Sequence, residues 1–126
     1  MTYNFENKLP TKIKVGGELY SVEWFEVGTL MSKAGDALMG QVEPDQHKIQ
    51  LEKGQSLQAL MDTVRHELTH VANHVYGVKD RMKEEDITDR STKAWNDVWI
   101  NNPKLVVWFS KIATEIRKLS RSNANS

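Results

Sequence analysis

Residues 56–77 decide how this chain is interpreted, and they read SLQALMDTVRHELTHVANHVYG. Apolar side chains recur every three or four positions over five turns, which is the spacing of an amphipathic helix. These positions are Leu57, Leu60, Met61, Val64, Leu68, Val71 and Val75. Ser56 suits the amino-terminal cap of this helix, and Gly77 lies where a glycine commonly ends one. The pattern therefore predicts a long helix with one face toward the core.

His66, Glu67 and His70 form an HExxH motif on a different face of the predicted helix. Residues four apart lie on one face with about 6 Å of rise between them, so two imidazoles can share one zinc ion at about 2.0–2.1 Å. Glu67 points about 100° away and can take a proton from a water whose pKa zinc lowers toward about 7. The motif is short and also occurs by chance. Its place in a strong helix favours His66 and His70 as zinc ligands and Glu67 as general base.

A catalytic zinc site needs a third protein ligand. His74 is two turns from His66, about 12 Å along the axis, which is too far for one ion. The better candidates are the carboxylates of the next predicted helix, Glu84, Glu85, Asp86 and Asp89. We expect Glu85 to be the third ligand, with Glu84 or Asp86 as alternatives, and Asp89 to orient a ligating histidine. The other interpretation is that this cluster only stabilises a helix amino terminus.

The rest of the chain predicts a β-rich front and a helical back. Strands are expected at residues 11–15, 19–27, 39–43 and 48–52, with turns at Gly16-Gly17 and residues 44–47. Residues 28–37 are ambiguous and have room for a short helix. Further helices are expected at about residues 83–100 and from Asn102-Pro103 onward, with residues 120–126 as a frayed polar tail. The fold class is therefore α+β, with a small antiparallel sheet and three helices in one domain, residues 1–126.

Composition narrows the classes of function. The 126 residues contain 17 Lys plus Arg and 17 Asp plus Glu, so charge gives no case for nucleic acid or an acidic membrane as main partner. There is no cysteine, which excludes a disulfide frame, a thiolate nucleophile and a cysteine zinc module. The start does not read as a signal peptide, and no apolar run approaches a membrane span. We therefore expect a cytoplasmic location.

The chain resembles the small HExxH proteins encoded in bacteriophage and prophage genomes. These are minimal zincins similar to the ImmA/IrrE group of metallopeptidases, and more loosely to SprT-like proteins. The resemblance covers residues 12–27, the strand pair around Gly40 and Ile49, residues 63–70, and the acidic helix from residue 84 that ends in Asn101-Asn102-Pro103. It implies a zincin-like fold and a gluzincin-like site, in which the third ligand comes from the Glu84/Glu85 region. The Glu-Ala-Asn and Phe-Ala signature of the ImmA/IrrE helix is absent here.

The leading hypothesis is a zinc metallopeptidase acting on a peptide or protein substrate, in the host cytoplasm if the chain is phage-encoded. An extended substrate could pair with a sheet edge at residues 41–43 or 48–51. No oxyanion donor can be assigned from the sequence, although Arg65 and Tyr76 have suitable side chains. One alternative is a non-enzymatic phage protein that binds or inhibits a host factor through Trp95, Trp99 and Trp108. A second alternative is a DNA-associated protease that uses Lys111, Arg117, Lys118 and Arg121.

Overall fold

A computed structural model describes residues 3–124, where a four-stranded sheet precedes three long helices. In chain order the elements are α1 (Phe5–Lys8), β1 (Lys12–Val15), β2 (Glu18–Phe25), β3 (Gly40–Glu43), a 3₁₀ turn (Pro44–Gln46), β4 (Lys48–Glu52), α2 (Leu57–Val75), α3 (Glu84–Asn101) and α4 (Pro103–Ala124). The α+β class predicted from the sequence is confirmed. Across the described part of the chain, none of the helices combines the length and hydropathy needed to cross a membrane.

The sheet has the strand order β1-β2-β4-β3. Gly16 and Gly17, with φ of 60° and 83°, make the tight turn between β1 and β2, which pair antiparallel as predicted. The expectation of a purely antiparallel sheet is wrong, because β2 and β4 pair parallel. In the β3–β4 hairpin, β4 lies next to β2 and β3 lies at the edge of the sheet. This arrangement fits the burial of the two strands, because Ile49 and Leu51 of β4 are almost completely buried while β3 is only half-buried. The more apolar strand takes the centre, and β3 becomes an edge.

Helix α2 covers the sheet, and its boundaries agree with the sequence prediction. The Ser56 hydroxyl accepts a hydrogen bond from the Ala59 N–H (3.2 Å), and Gly77 has a φ of 69° just beyond the carboxyl end. Of the predicted apolar stripe, Leu60, Val64, Leu68 and Val71 are buried in the core, and the other three residues are half-buried against it. The core includes Ile13, Tyr20, Ile49, Leu51, Leu60, Val64, Leu68, Val71, Leu105, Trp108 and Ile112. Packing of this stripe leaves the opposite side of α2 free to carry polar side chains.

Asn102 joins α3, α4 and the sheet. It precedes Pro103, the first residue of α4, as the sequence predicts. Its side chain does not cap α4, however: the amide donates to the carbonyls of Lys14 (2.8 Å) and Val98 (2.9 Å) and accepts from the Lys14 N–H (2.8 Å). This buried amide fixes the α3–α4 corner against β1.

Three further segments differ from the expectations. Residues 28–37 hold an isolated bridge between Met31 and Ala37 and no helix. The short helix α1 was not predicted; it buries Phe5, whose carbonyl accepts a hydrogen bond from the Trp108 indole (2.8 Å). Helix α4 continues to Ala124, so residues 120–124 of the predicted tail are helical, and residues 125–126 lie outside the described part.

Candidate metal and catalytic site

His66 and His70, called here the histidine pair, lie one above the other on the exposed side of α2. Their Nε2 atoms are 3.1 Å apart, and their ring planes meet at 80°. Two nitrogens that bind one tetrahedral zinc ion at 2.0–2.1 Å are about 3.3 Å apart. Without an ion, one ring can donate its Nε2 hydrogen to the other. The helix therefore presents two imidazole nitrogens at nearly the separation that a shared ion requires.

Glu67 lies on the side of α2 that faces strand β3, and only 5% of its surface is exposed. Burial raises the pKa of its carboxyl above the ordinary value, and the nearby charges of His66 and His70 partly oppose that shift. A carboxylate with a raised pKa is a better proton acceptor near neutral pH. The position and electrostatics of Glu67 therefore suit a general base beside the histidine pair.

Gly40 allows β3 to pass close to Glu67. A Cβ atom at Gly40 would lie 2.8 Å from Thr63 Cγ2 and 3.0 Å from both Cγ and Oε2 of Glu67. Contacts this short are essentially forbidden, so a side chain at position 40 would push the strand away from the helix. Gly40 was missed as a site residue. A glycine inside a predicted strand is a known sign of close backbone approach, and that signal was present in the sequence.

Two cavities meet at the histidine pair and Glu67. The histidine cavity, of about 520 Å³, is lined by Leu38, Gly40, Gln41, Val42, Pro44, His66, Glu67, His70 and His74. The Asp62 cavity, of about 250 Å³, is lined by Met39, Gly40, Asp62, Thr63, His66 and Glu67. Both are open to solvent and share Gly40, His66 and Glu67. Together they form a groove between α2 and the free edge of the sheet.

The predicted third ligand does not join this groove. Glu84, Glu85 and Asp86 line a separate cavity of about 900 Å³ on the first turns of α3. Within residues 3–124, no group of three or more His, Asp or Glu side chains is placed to hold one metal ion. The structure therefore brings together His66, Glu67 and His70, and it leaves Glu85 and its two alternatives elsewhere.

The register between α2 and α3 explains the position of Glu85. The Arg90 guanidinium donates to the carbonyl of Tyr76 at the end of α2 (2.9 Å), and Arg65 lies 4.4 Å from the centre of the Trp95 ring. The two helices are thus antiparallel, with the region of Trp95 level with the histidine pair. Glu85 is ten residues earlier in α3, roughly 15 Å away along the axis.

His74 and His47 occupy different surroundings. His74 is exposed and lines the histidine cavity one turn beyond His70, so it is a side chain at the edge of the cleft. His47 has a left-handed φ of 52°, and its ring lies 5.1 Å from that of Tyr20 and 3.5 Å from the Glu18 carboxylate. Only His74 is placed to contact a molecule bound in the groove.

The two suggested oxyanion donors do not line the groove. Arg65 is stacked on Trp95 and Trp99, and the Tyr76 hydroxyl donates to Asp97 at 2.6 Å. Asp97 also accepts from the Gly16 N–H (2.7 Å) and the Asn101 amide (2.6 Å). These contacts join the β1–β2 turn to α3, which is a structural role. Neither Arg65 nor Tyr76 is therefore placed to face a group that reacts in the groove.

The donor set fits zinc in part. Two imidazole nitrogens at 3.1 Å match a shared ion, and the carboxylate of Glu67 lies beside them in an open groove. Among residues 3–124, no third protein donor is assembled beside them. The residues that are present therefore supply two convergent imidazole nitrogens and a neighbouring carboxylate.

Comparison with known proteins does not assign the chain to a family. No protein-family model matches the chain, and neither a curated protein nor a solved structure matches it. The functional interpretation therefore depends on the geometry of the groove.

Proposed function

We propose that this protein is a zinc-dependent peptidase with a zincin-like fold, in which His66 and His70 hold the ion and Glu67 is the general base. One observation carries the proposal: the Nε2 atoms of the histidine pair converge to 3.1 Å beside a buried glutamate, at the floor of an open groove. Zinc bound there would supply a Lewis acid that polarises a carbonyl and lowers the pKa of water toward about 7. The predicted resemblance to phage-encoded zincins agrees with this reading.

Glu67 is placed to move the proton. Its carboxylate adjoins the groove that the substrate would occupy, and Gly40 keeps the opposite wall within contact distance. In the proposed reaction Glu67 takes a proton from the attacking water and later delivers it to the leaving amine. Burial favours this role because it raises the pKa of the carboxyl above its ordinary value.

Strand β3 offers a binding edge for an extended peptide. The Glu52 N–H donates to the Met39 carbonyl (2.9 Å), and Gln41 and Glu43 are opposite Gln50 and Lys48. In an antiparallel pair the main-chain groups of alternate residues point in opposite directions. The N–H and C=O groups of residues 39, 41 and 43 therefore face β4, while the N–H and C=O groups of Gly40 and Val42 face the open edge. A peptide can add to β3 through these two residues, directly beside Glu67.

A metal titration and a cleavage assay test the proposal together. We expect the purified protein to bind about one zinc per chain, with at least a tenfold loss of affinity in His66→Ala and His70→Ala. Glu67→Gln should retain zinc and lose about 10²- to 10⁴-fold in turnover of a mixed peptide library. Wild-type protein that binds no zinc, or Glu67→Gln protein that cleaves as fast as wild type, would refute the proposal.

The same titration examines the third ligand. Since Glu85 lies in a different cavity from the histidine pair, Glu85→Gln is expected to leave zinc affinity unchanged. His74→Ala is the informative comparison, because His74 lines the same cavity as the pair. A tenfold loss of zinc affinity in Glu85→Gln would show that the first turns of α3 move toward the histidine pair when the metal binds.

A second candidate function, binding of a partner without catalysis, is favoured by one surface. Trp108 is buried in the core, but Trp95 and Trp99 are half-buried. Trp99 lines an apolar groove of about 380 Å³ together with Met61, Arg65, Val106, Phe109 and Ser110. An inhibitor or binder would keep its biological effect when Glu67 is replaced, whereas a peptidase would lose it.

The basic residues of α4 give little support to a DNA-associated protease. Lys111 lies over the Tyr3 ring at 4.8 Å, and Lys118 is 3.8 Å from the Glu115 carboxylate. Their charge is partly engaged within the chain. Phage origin and a cytoplasmic location stay predictions from the sequence.

A further inference from the structure

The two ends of the groove have walls of different chemistry, and this difference bears on the substrate. The histidine cavity is bounded on the sheet side mainly by the apolar residues Leu38, Val42 and Pro44, together with Gln41. The Asp62 cavity is bounded instead by Met39, Thr63 and the carboxylate of Asp62. A peptide that follows β3 past Glu67 passes from one cavity into the other. Its side chains on either side of the reacting bond therefore meet unlike surroundings.

Asp62 brings a negative charge to the smaller cavity. It lies one turn before His66 on α2, and its Oδ1 accepts a hydrogen bond from the Gln58 amide (3.1 Å). Among the ion pairs of residues 3–124, none involves Asp62, and no Lys or Arg lines this cavity. The charge of Asp62 is therefore available to a cation brought by a ligand.

The wall beside Asp62 suits a long basic side chain. Met39, which is 46% exposed, lines this cavity, and the largely buried Thr63 lines it beside Gly40. Lysine and arginine place an aliphatic stem along apolar surface while the charged end stays in a polar setting. Met39 and Thr63 can contact the stem, and Asp62 can pair with the charged end.

The direction of the peptide follows from the strand. Antiparallel pairing is slightly more stable per residue than parallel pairing. Strand β3 runs from the Asp62 cavity, at Met39, toward the histidine cavity, at Pro44. An antiparallel peptide therefore places the residues before the reacting bond at Val42 and Pro44, and those after it at Asp62.

From this arrangement we infer that Asp62 determines specificity, selecting peptides with an apolar residue before the cleaved bond and Lys or Arg immediately after it. The inference rests on the proposed function. Because Asp62 is exposed, the ion pair is worth a modest selectivity. We expect a preference for Lys over Glu of about two- to fivefold.

Binding and cleavage are measured separately, so that a failure of the specificity inference can be distinguished from a failure of the peptidase proposal. The binding assay uses the Glu67→Gln variant, intrinsic tryptophan fluorescence and two peptides that differ only in Lys or Glu at the position after the bond. Asp62→Asn should abolish the preference for Lys, and Asp62→Lys should reverse it. The matched control is Asp80→Asn, which removes an exposed carboxylate outside both cavities and should change nothing.

The cleavage assay maps the products of wild-type zinc-loaded protein on a peptide library. Cuts before Lys or Arg that lose this preference in Asp62→Asn would support the inference. Cleavage without a charge preference, a preference that Asp62→Asn leaves intact, or basic residues selected before the bond would overturn it. If no peptide is cut, the peptidase proposal fails. If the Glu67→Gln variant also binds the two peptides with equal affinity, the inference that Asp62 selects by charge fails as well.

Discussion

Replacing Gly40 with alanine tests the close approach of β3 to α2. The backbone at Gly40 does not have a positive φ, so alanine meets no conformational obstacle there. The added methyl group would instead lie 2.8 Å from Thr63 Cγ2 and 3.0 Å from Cγ and Oε2 of Glu67. The substitution therefore isolates a steric effect at the wall of the groove.

The expected cost follows from these distances. Carbon atoms in contact are normally 3.5–4.0 Å apart, so the strand or the helix side chains must move by about 0.5–1 Å. An added methyl group in a packed position typically costs about 1–3 kcal/mol. Because Gly40 lies in an edge strand that can give way, we expect the lower half of this range, about 1–2 kcal/mol. Displacement of Glu67 should also reduce turnover if the peptidase proposal is correct.

Urea denaturation of four proteins measures the effect: wild type, Gly40→Ala, Thr63→Ser and the double variant. Serine at position 63 removes the Cγ2 methyl group and keeps the hydroxyl that donates to Gln55 (2.8 Å). The double variant should recover part of the loss, since the shortest contact is gone and the contacts with Glu67 remain. Full stability in Gly40→Ala, or strict additivity of the two single variants, would refute the close approach described here.

Two other predictions concern the corner between α3 and the sheet. Asn102→Ala removes three hydrogen bonds and leaves the main-chain groups of Lys14 without these partners. We expect urea denaturation to show that the free energy of unfolding falls by about 1–3 kcal/mol, against less than about 0.5 kcal/mol for the exposed control Asn96→Ala. Equal losses in the two variants would contradict this role of Asn102. Burial alone would raise the pKa of Asp97, but hydrogen bonds from the Tyr76 hydroxyl and two other donors lower it below its ordinary value. The charged form therefore stabilises the fold above the unfolded-state pKa of about 3.9, and this contribution is lost as pH falls through the folded-state value. Asp97→Asn should destabilise the protein at pH 7 and weaken the loss of stability on acidification below about pH 4, and an unchanged pH profile of the free energy of unfolding would contradict the assignment.

Local patterns accounted for the most accurate predictions. The helix around His66 and His70 depends on spacing within five turns, and residues four apart share a helix face whatever the rest of the chain does. The cap at Ser56 and the glycine at position 77 are local for the same reason. The convergence of His66 and His70 beside Glu67 could therefore be predicted from the sequence alone.

Long-range relations accounted for three of the errors. Strands β2 and β4 are separated by 22 residues, and which of β3 and β4 lies inside depends on how much each one buries. The distance of Glu85 from the histidine pair depends on the register of two helices, which no motif encodes. The sequence predicted only a helix-capping role for Asn102. Its hydrogen bonds with Lys14 could not be foreseen, because that residue is 88 positions away. These three errors concern contacts between distant segments, whereas those at residues 28–37, at α1 and at residues 120–124 concern local structure.

The hydrogen bond from Trp108 to Phe5 has a consequence for synthesis of the protein on the ribosome. The two residues are 103 positions apart, and the indole is almost completely buried. While the chain is still being made, the sheet and α2 can form but lack the cover that α4 provides. The nascent chain must therefore expose apolar surface until α4 has left the exit tunnel. During that interval it is a natural client for chaperones, and a pause in translation before residue 108 should increase its aggregation.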